Sequence, residues 1–517
     1  MPIPRIWTSS PRPTASRFSS CPPGTERTHP QRTGAPFRAP GRIFGRRIST
    51  KDPQTMTRTL IKGGQILSMD DTIGRLTGDV LIEDDRIVQV APAIDAPAAH
   101  VIDATGAVVM PGFVNAHMHT WQGAIRAIAA DWPSGGYFRQ VHAGISPHYT
   151  PDDTRIGTLV GALAQIEAGT TTLFDWCHNN ATPAHTDAAI DALEAAGLRA
   201  VFGHGTVKPK PKPGEPHFST IPHPVGEIDR LRKGRLSQDD ALVTLAACIL
   251  GPDYSGIEVC RHDFQMARDY GLLSSAHIWG LNRLVPDGYL TIAREGLLGP
   301  DHNIVHANYI DDEELKVILD CGATVTSTPP VELGPHPVEP LVSRILRMGG
   351  RPSIGPDVEV DVTGGMLDTM RASLLGARLY NTAHADKQLA EEDVAAREVA
   401  VPTARVTEPP VPTIEALKWA TIDNARALRL DDRIGSLTPG KQADLIVIRR
   451  DSLAMMGTVD PAQSVVHFAQ NADIDTVMIA GQIRKSGGRV LDVDMGKLAR
   501  EQAASAERLF AAFPIEI

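Results

Sequence analysis

Eight short apolar runs alternate with helical patterns through the middle of the chain. The runs are Val108–His117, Thr170–Trp176, Arg199–Gly203, Ala241–Leu250, Leu272–Ile278, Asn303–Ala307, Ala323–Ser327 and Arg351–Ile354. Between them, Arg155–Ala168, Asp187–Ala196, Asp312–Cys321 and Glu339–Met348 carry helical periodicity. A glycine often follows the helix and precedes the strand (Gly169, Gly197, Gly271, Gly322, Gly349), the residue wanted where a helix ends in the left-handed conformation. Eight strands alternating with helices over roughly 260 residues predict an α/β fold, a (β/α)8 TIM barrel. A doubly wound open sheet is the alternative, but it normally has fewer strands and gives no reason for β segments on either side.

Such segments are present. Thr59–Ser68, Asp79–Glu83 and Arg86–Val90 are β-rich and punctuated by Gly-Gly and Asp-Asp. The same texture returns at Ala443–Ile448 and Asp475–Arg484. Together they predict a small β-sandwich domain formed from both ends of the chain. The expected order is an N-terminal β-sandwich segment over 56–110, the barrel over 111–430, a C-terminal β-sandwich segment over 431–493 and a final helix over 494–517. Glu391–Pro412, rich in Glu, Ala and Pro, is expected to be a long surface loop or lid. Met1–Thr50 holds nine arginines, no lysine and one acid, Glu26. It has too little apolar content to offset the entropy of ordering, so residues 1–55 are expected to be a disordered extension. That extension is either a transit peptide, which its prolines oppose, or the product of a start assigned upstream of Met56.

With 42% apolar residues a large core is possible, while 5% aromatics and a diffuse net charge of -10 argue against nucleic-acid or anionic-membrane partners. The five widely spaced cysteines include no C-x-x-C pair, which fits a reducing, cytoplasmic compartment. No apolar stretch is long enough to span a membrane.

The sharpest chemical signal is Pro111-Gly-Phe-Val-Asn-Ala-His-Met-His119. A strand turns alternate side chains to one face, so His117 and His119 can aim two imidazoles at one point, and imidazole nitrogen suits zinc- or iron-type ions. His277, His306 and Asp357 each stand at the same end of a different predicted strand, the end where barrels carry their chemistry. Singly, each could equally be a satisfied buried histidine or a helix cap.

As an ordered set these residues resemble the amidohydrolase superfamily, in its cytosine deaminase-like and triazine hydrolase-like branch. The Pro111–His119 stretch, His277, His306, Asp357 and Pro439–Ile448 carry the resemblance, which covers roughly Thr59 to Val490. It implies one divalent metal ion, zinc expected and iron the alternative, bound by His117, His119, His277 and Asp357. It also implies that Asp357 takes a proton from the attacking water and that His306, beside the metal, polarises the substrate. Homo-oligomers are common in the family and one is expected here. The fourth predicted strand lacks the Lys or Glu that would bridge a second metal, which favours a single ion.

One departure stands out. Deaminases of this branch place a Glu three residues after the fifth-strand His to shuttle protons, and here that position is Gly280. Glu332 is the expected substitute, ahead of Glu359 and His336. Asp175–His178 and His204 are expected to line the pocket, and Trp279 to stack on a planar substrate or pack in the core. Cys177 and Cys248 have no base partner, and Lys208-Pro-Lys-Pro-Lys212 reads as an exposed loop rather than a phosphate site. The expected function is hydrolysis at an electrophilic carbon of a small heterocyclic or amidine-like molecule, releasing ammonia, an amine or another group. The alternatives are an amide, urea or carbamate hydrolase, or a scaffold without activity. No G-x-G-x-x-G supports a dinucleotide fold.

Overall fold

A computed structural model describes residues 57–392 and 411–515 of the chain. The extension expected over 1–55 lies outside the described residues, as does nearly all of the loop expected over Glu391–Pro412.

The strands in chain order are β1 (Arg58–Leu67), β2 (Arg75–Glu83), β3 (Arg86–Ala91), β4 (His100–Asp103), β5 (Val108–Pro111), β6 (Phe113–Met118), β7 (Thr170–Cys177), β8 (Arg199–His204), β9 (Val243–Cys248), β10 (Ser274–Ile278), β11 (His302–His306), β12 (Thr324–Ser327), β13 (Ser353–Ile354), β14 (Leu445–Ile448), β15 (Ile474–Ile479), β16 (Gln482–Ser486) and β17 (Arg489–Val490). Strands β6 to β13 form one eight-stranded parallel sheet in sequence order. The sheet is joined into a barrel by a parallel bridge between Met118 and Asp357. Two backbone hydrogen bonds make that closure: His119 N donates to Asp357 O at 3.0 Å, and Asp357 N to His117 O at 3.3 Å. Parallel strands covered on both faces need continuous apolar or small side chains. Accordingly, all eight residues of β7, Thr-Thr-Thr-Leu-Phe-Asp-Trp-Cys, are buried.

The helices between strands start and stop as their sequences dictate. Pro151–Glu167 opens with a capping box between Thr150 and Asp153 and Pro at its first turn. All five glycines singled out at helix ends have positive φ, from 64° to 85°, the region closed to most side chains.

One predicted strand divides. The run Val108–His117 is two strands: β5 pairs with β1 and β14 in the other sheet, and β6 opens the barrel. The break falls at Gly112. A Cβ there would lie 2.1 Å from the Thr171 methyl, so only glycine lets the chain pass from one sheet to the other at this distance.

The second sheet has nine strands, in the order β17-β16-β15-β14-β5-β1-β2-β3 with β4 on β1, and takes its strands from both ends of the chain. It is tied to the barrel by a buried bidentate pair. Arg199 Nε and Nη2 reach Asp444 Oδ2 and Oδ1 at 2.7 and 3.2 Å, with the side chains 4% and 1% exposed. The helix Met495–Ala512 lies along Pro151–Glu167, with Ser505 Oγ donating to Asp153 Oδ1 at 2.6 Å. Among the described residues, no helix is long and apolar enough to cross a membrane.

Candidate metal centre

The ends of β6, β10, β11 and β13 bring five side chains together. His117 is fully buried on β6, and His119 follows the strand's last residue. His277 comes from β10, His306 ends β11 and Asp357 follows β13. His306 and Asp357 sit at positive φ, 78° and 73°. Non-glycine residues held there cost on the order of 1 kcal/mol or more, and such strain gathers at functional sites.

His117 Nε2 lies 3.1 Å and His119 Nε2 3.3 Å from the same Asp357 oxygen, Oδ1. His277 Nε2 is 3.3 Å from His117 Nε2. His306 Nε2 stands farther off, 3.9 Å from Asp357 Oδ2. Ligand atoms of His117, His277, His306 and Asp357 all lie within 4.8 Å of one another. This tight group shares three members with the expected ligand set and holds His306 in place of His119, although His119 also points at Asp357.

The protonation states make this crowding informative. Burial drives His117 down to about 3, against the pull of Asp357, and holds His277 well below its usual value. Burial alone would raise Asp357, but hydrogen bonding with His117 and His119 outweighs it and keeps the carboxyl well below the usual range. His119 Nδ1 is 2.5 Å from the Trp176 carbonyl oxygen, which can only accept. Nδ1 therefore carries a proton donated to that carbonyl, and Nε2 faces the carboxylate. Three imidazole nitrogens and a carboxylate oxygen converging at 3.1–3.3 Å form a cluster of donor atoms that a cation would hold together. Bonds of about 2.0–2.1 Å to a tetrahedral ion would set its ligands about 3.3 Å apart. The donor set thus fits a divalent ion in chemistry and in spacing. The Nδ1 of His117 is buried without a partner among the described residues.

Behind this group, the Asp175 carboxylate accepts from Thr120 N at 3.1 Å, and burial pushes it up to about 6. His178 stacks on His119 with ring centroids 4.1 Å apart. In front lies a cavity of about 440 Å³ lined by His119, His178, His277, His306 and Asp357 together with Tyr137, His142, Lys208, Tyr254, Trp279 and His336.

Several expectations are relocated. Glu332, expected to shuttle protons, is buried behind His306. Its carboxylate accepts from Ser327 Oγ (2.6 Å), Thr328 N (2.8 Å) and Thr328 Oγ1 (3.0 Å) and faces His306 Nδ1 at 3.2 Å. That arrangement orients His306, and Glu332 is not among the residues lining the cavity. Glu359 is buried, with Oε1 paired with Arg126 at 2.7 Å, and does not line the cavity. His204 faces His223 at 3.0 Å and does not line the cavity. Trp279 does line it, stacked on His306 at 4.1 Å and 11°.

Gly280 has φ 87°, and a Cβ there would meet Ile310 N at 2.6 Å. No side chain, Glu included, fits this loop as it stands. Cys177 and Cys248 are buried, burial pushes both thiols up, and neither lines the cavity. Within Lys208–Lys212, Lys210 and Lys212 are more open but Lys208 turns into the cavity. Lys208, Tyr254, Tyr137 and His142 were not legible as site residues, because they reach the cavity from an irregular stretch (Lys208) and from short helical turns after the strands, without a spacing signature.

Comparison with known proteins gives a consistent picture. The model of the amidohydrolase family matches residues 108–284 and 383–484. A 5-methylthioadenosine/S-adenosylhomocysteine deaminase of Thermococcus kodakarensis is 26% identical over 442 residues, covering 82% of this chain and 93% of its own length. Among solved structures, an adenosine deaminase of Xanthomonas campestris with bound zinc superposes with a TM-score of 0.71. It is 20% identical and covers 88% of this chain and 99% of that one. An atrazine chlorohydrolase variant of Arthrobacter aurescens, complexed with zinc and atraton, gives 0.70 at 22% identity, covering 87% and 100%. These two structures share the fold.

Proposed function

The chain belongs to the amidohydrolase family and is a metal-dependent hydrolase; from that premise we propose that it removes an amino substituent from an electrophilic ring carbon of a small heterocycle, releasing ammonia. One divalent ion, zinc on this reading, would be held by His117, His119, His277 and Asp357. The observation that carries this reading is the convergence of three Nε2 atoms and a carboxylate, 3.1–3.3 Å from their neighbours, at the floor of an aromatic-lined cavity. His306 is the outlier at 3.9 Å, and its Nδ1 is already engaged by Glu332.

A bound divalent ion lowers the pKa of water from 15.7 to about 7, so that a nucleophile exists at neutral pH. Asp357 accepts the proton of the attacking water, Oδ2 being the oxygen not engaged by His117 and His119. His306, its orientation fixed through Nδ1 by Glu332, turns Nε2 toward the ring atom where negative charge develops. Trp279, stacked on His306, offers an aromatic face for a planar ring. As the carbon–nitrogen bond breaks, Asp357 returns its proton to the departing nitrogen, which leaves as ammonia, and the hydroxyl left on the carbon passes its proton to the ring nitrogen to give the ring carbonyl.

Hydrolysis of an amide, urea or carbamate at the same centre is the second reading. Gly280 favours it, since the loop has no room for the acid that branch deaminases place there.

The test is elemental analysis of purified protein, followed by assay of ammonia and chloride release from 5-methylthioadenosine, S-adenosylhomocysteine, adenosine, atrazine and a set of amides and ureas. His117→Ala and Asp357→Ala should lose both metal and turnover while remaining folded. Full activity in either variant without bound metal overturns the reading, and release of amine from amides alone selects the second one.

A further inference from the structure

Past β8 the chain runs through Lys208-Pro-Lys-Pro-Lys212, and only the first lysine enters the cavity. Lys208 Nζ stands 5.5 Å from the centre of the Trp176 ring and 5.7 Å from that of Tyr254. Trp176 in turn packs on the His277 ring at 4.2 Å, so the ammonium overlooks the metal centre from the side. Among the described residues, no carboxylate comes within ion-pair distance of Nζ, and no backbone or side-chain acceptor takes a hydrogen bond from it. The acids on the cavity wall are Asp357, committed to the histidines, and the half-buried Asp361.

An ammonium partly withdrawn from water, as Lys208 is, is unfavourable without an anion. Burial accordingly brings Lys208 down to about 8. Two aromatic faces compensate in part, but all three N–H donors stay open. A charge kept in this state beside a cationic centre is suited to meet an anion that arrives with the ligand.

We infer that Lys208 is a specificity-determining residue that binds an anionic substituent of the substrate, a carboxylate or an equivalent oxyanion, on the Trp176 and Tyr254 side of the cavity. This rests on reading the cavity as the substrate site. It narrows the substrate class from small heterocycles to acidic ones. A Lys208 that merely props its loop against the two rings would show no preference for charge in the ligand.

The experiment measures binding to the zinc-loaded full chain, by calorimetry, of three probes of one shape: nicotinate, pyridine-3-sulfonate and nicotinamide. The wild type should bind both anions at least about tenfold more tightly than the amide. Lys208→Met should weaken both anions by about 10- to 100-fold, the span of one charge-assisted hydrogen bond, and leave the amide within about twofold. Lys208→Arg should keep most of the preference. Unchanged melting temperature and zinc content would establish that Lys208→Met is folded and loaded.

Equal affinity of the wild type for all three probes overturns the inference. So does a preference that survives Lys208→Met, whether for both anions or for nicotinate alone, since the anion would then be held by the metal. The readout needs no turnover, so the two proposals fail separately. A protein that binds the anions through Lys208 yet hydrolyses nothing sinks the proposed function only. One that deaminates a ring substrate yet binds the two anions no more tightly than the amide sinks this inference only.

Discussion

Replacing Glu332 by glutamine removes one negative charge from behind His306 and changes the side-chain volume very little. The carboxylate accepts four hydrogen bonds, from Ser327 Oγ, Thr328 N, Thr328 Oγ1 and His306 Nδ1, at 2.6 to 3.2 Å. An amide oxygen can keep the contacts now made by Oε1, and the Ser327 hydroxyl can rotate to accept from the new NH2 group. What is lost is the charge assistance on the imidazole. A hydrogen bond to a charged group contributes about 1.5–3 kcal/mol against about 0.5–1.5 for a neutral one, a difference of about 1–1.5 kcal/mol. If that difference is felt where His306 meets developing charge, turnover falls by about tenfold. Glu332→Ala, which also leaves Thr328 N and Ser327 Oγ buried without an acceptor, should lower turnover by a further order of magnitude and cost about 1–3 kcal/mol of stability. The assay is steady-state kinetics per mole of bound metal, with denaturant unfolding in parallel. Glu332 touches His306 and not the centre of the ligand set, so metal content should stay constant in the glutamine variant. Loss of metal with unchanged turnover per ion would refute the reasoning, as would a glutamine variant as active as the wild type.

Three further outcomes follow from the geometry. Gly280→Ala places a Cβ 2.6 Å from Ile310 N at a φ of 87°, so it should cost about 1–3 kcal/mol in denaturant unfolding, and Gly280→Glu should not raise activity. Arg199→Met strands the buried Asp444 carboxylate and should destabilise by about 3–5 kcal/mol, whereas Arg199→Met combined with Asp444→Leu should cost clearly less; equal losses would contradict the pairing. Lys208 titrates at about 8, below the ordinary 10.5, so the folded protein releases this proton first. The wild type should therefore gain stability relative to Lys208→Met as pH rises from about 8 toward 10.5, with no relative change between pH 6 and 7, as measured by melting temperatures of both proteins across that range.

The barrel was legible because its period is written in residues that have little alternative. Runs such as Thr170–Cys177 must be covered on both faces, and glycines such as Gly197 must turn the chain left-handed after each helix. The histidines were legible because two of them stand at the end of β6 with one residue between. The passage from one sheet to the other was hidden, because Val108–His117 is apolar nearly throughout and only the approach of Thr171 to Gly112 divides it. The role of Glu332 was hidden for a related reason. Sequence placed a carboxylate after the seventh barrel strand, but whether it faces the cavity or the back of His306 depends on Thr328 and Ser327 capturing it first. Lys208 was masked by its neighbours, since Lys210 and Lys212 are the solvent-facing residues that a Lys-Pro repeat suggests.

Asp357 carries two duties in one residue: its side chain would complete the proposed ligand set, and its peptide group stitches the eighth strand region to the first through Met118, His117 and His119. Occupancy of the centre and integrity of this seam are therefore thermodynamically coupled. An ion drawing His117, His119 and Asp357 inward also clamps the two staves that bear them. Stripping the ion should loosen the cylinder there before anywhere else, and deuterium should enter the amides of His119 and Asp357 sooner than those of β7 or β8.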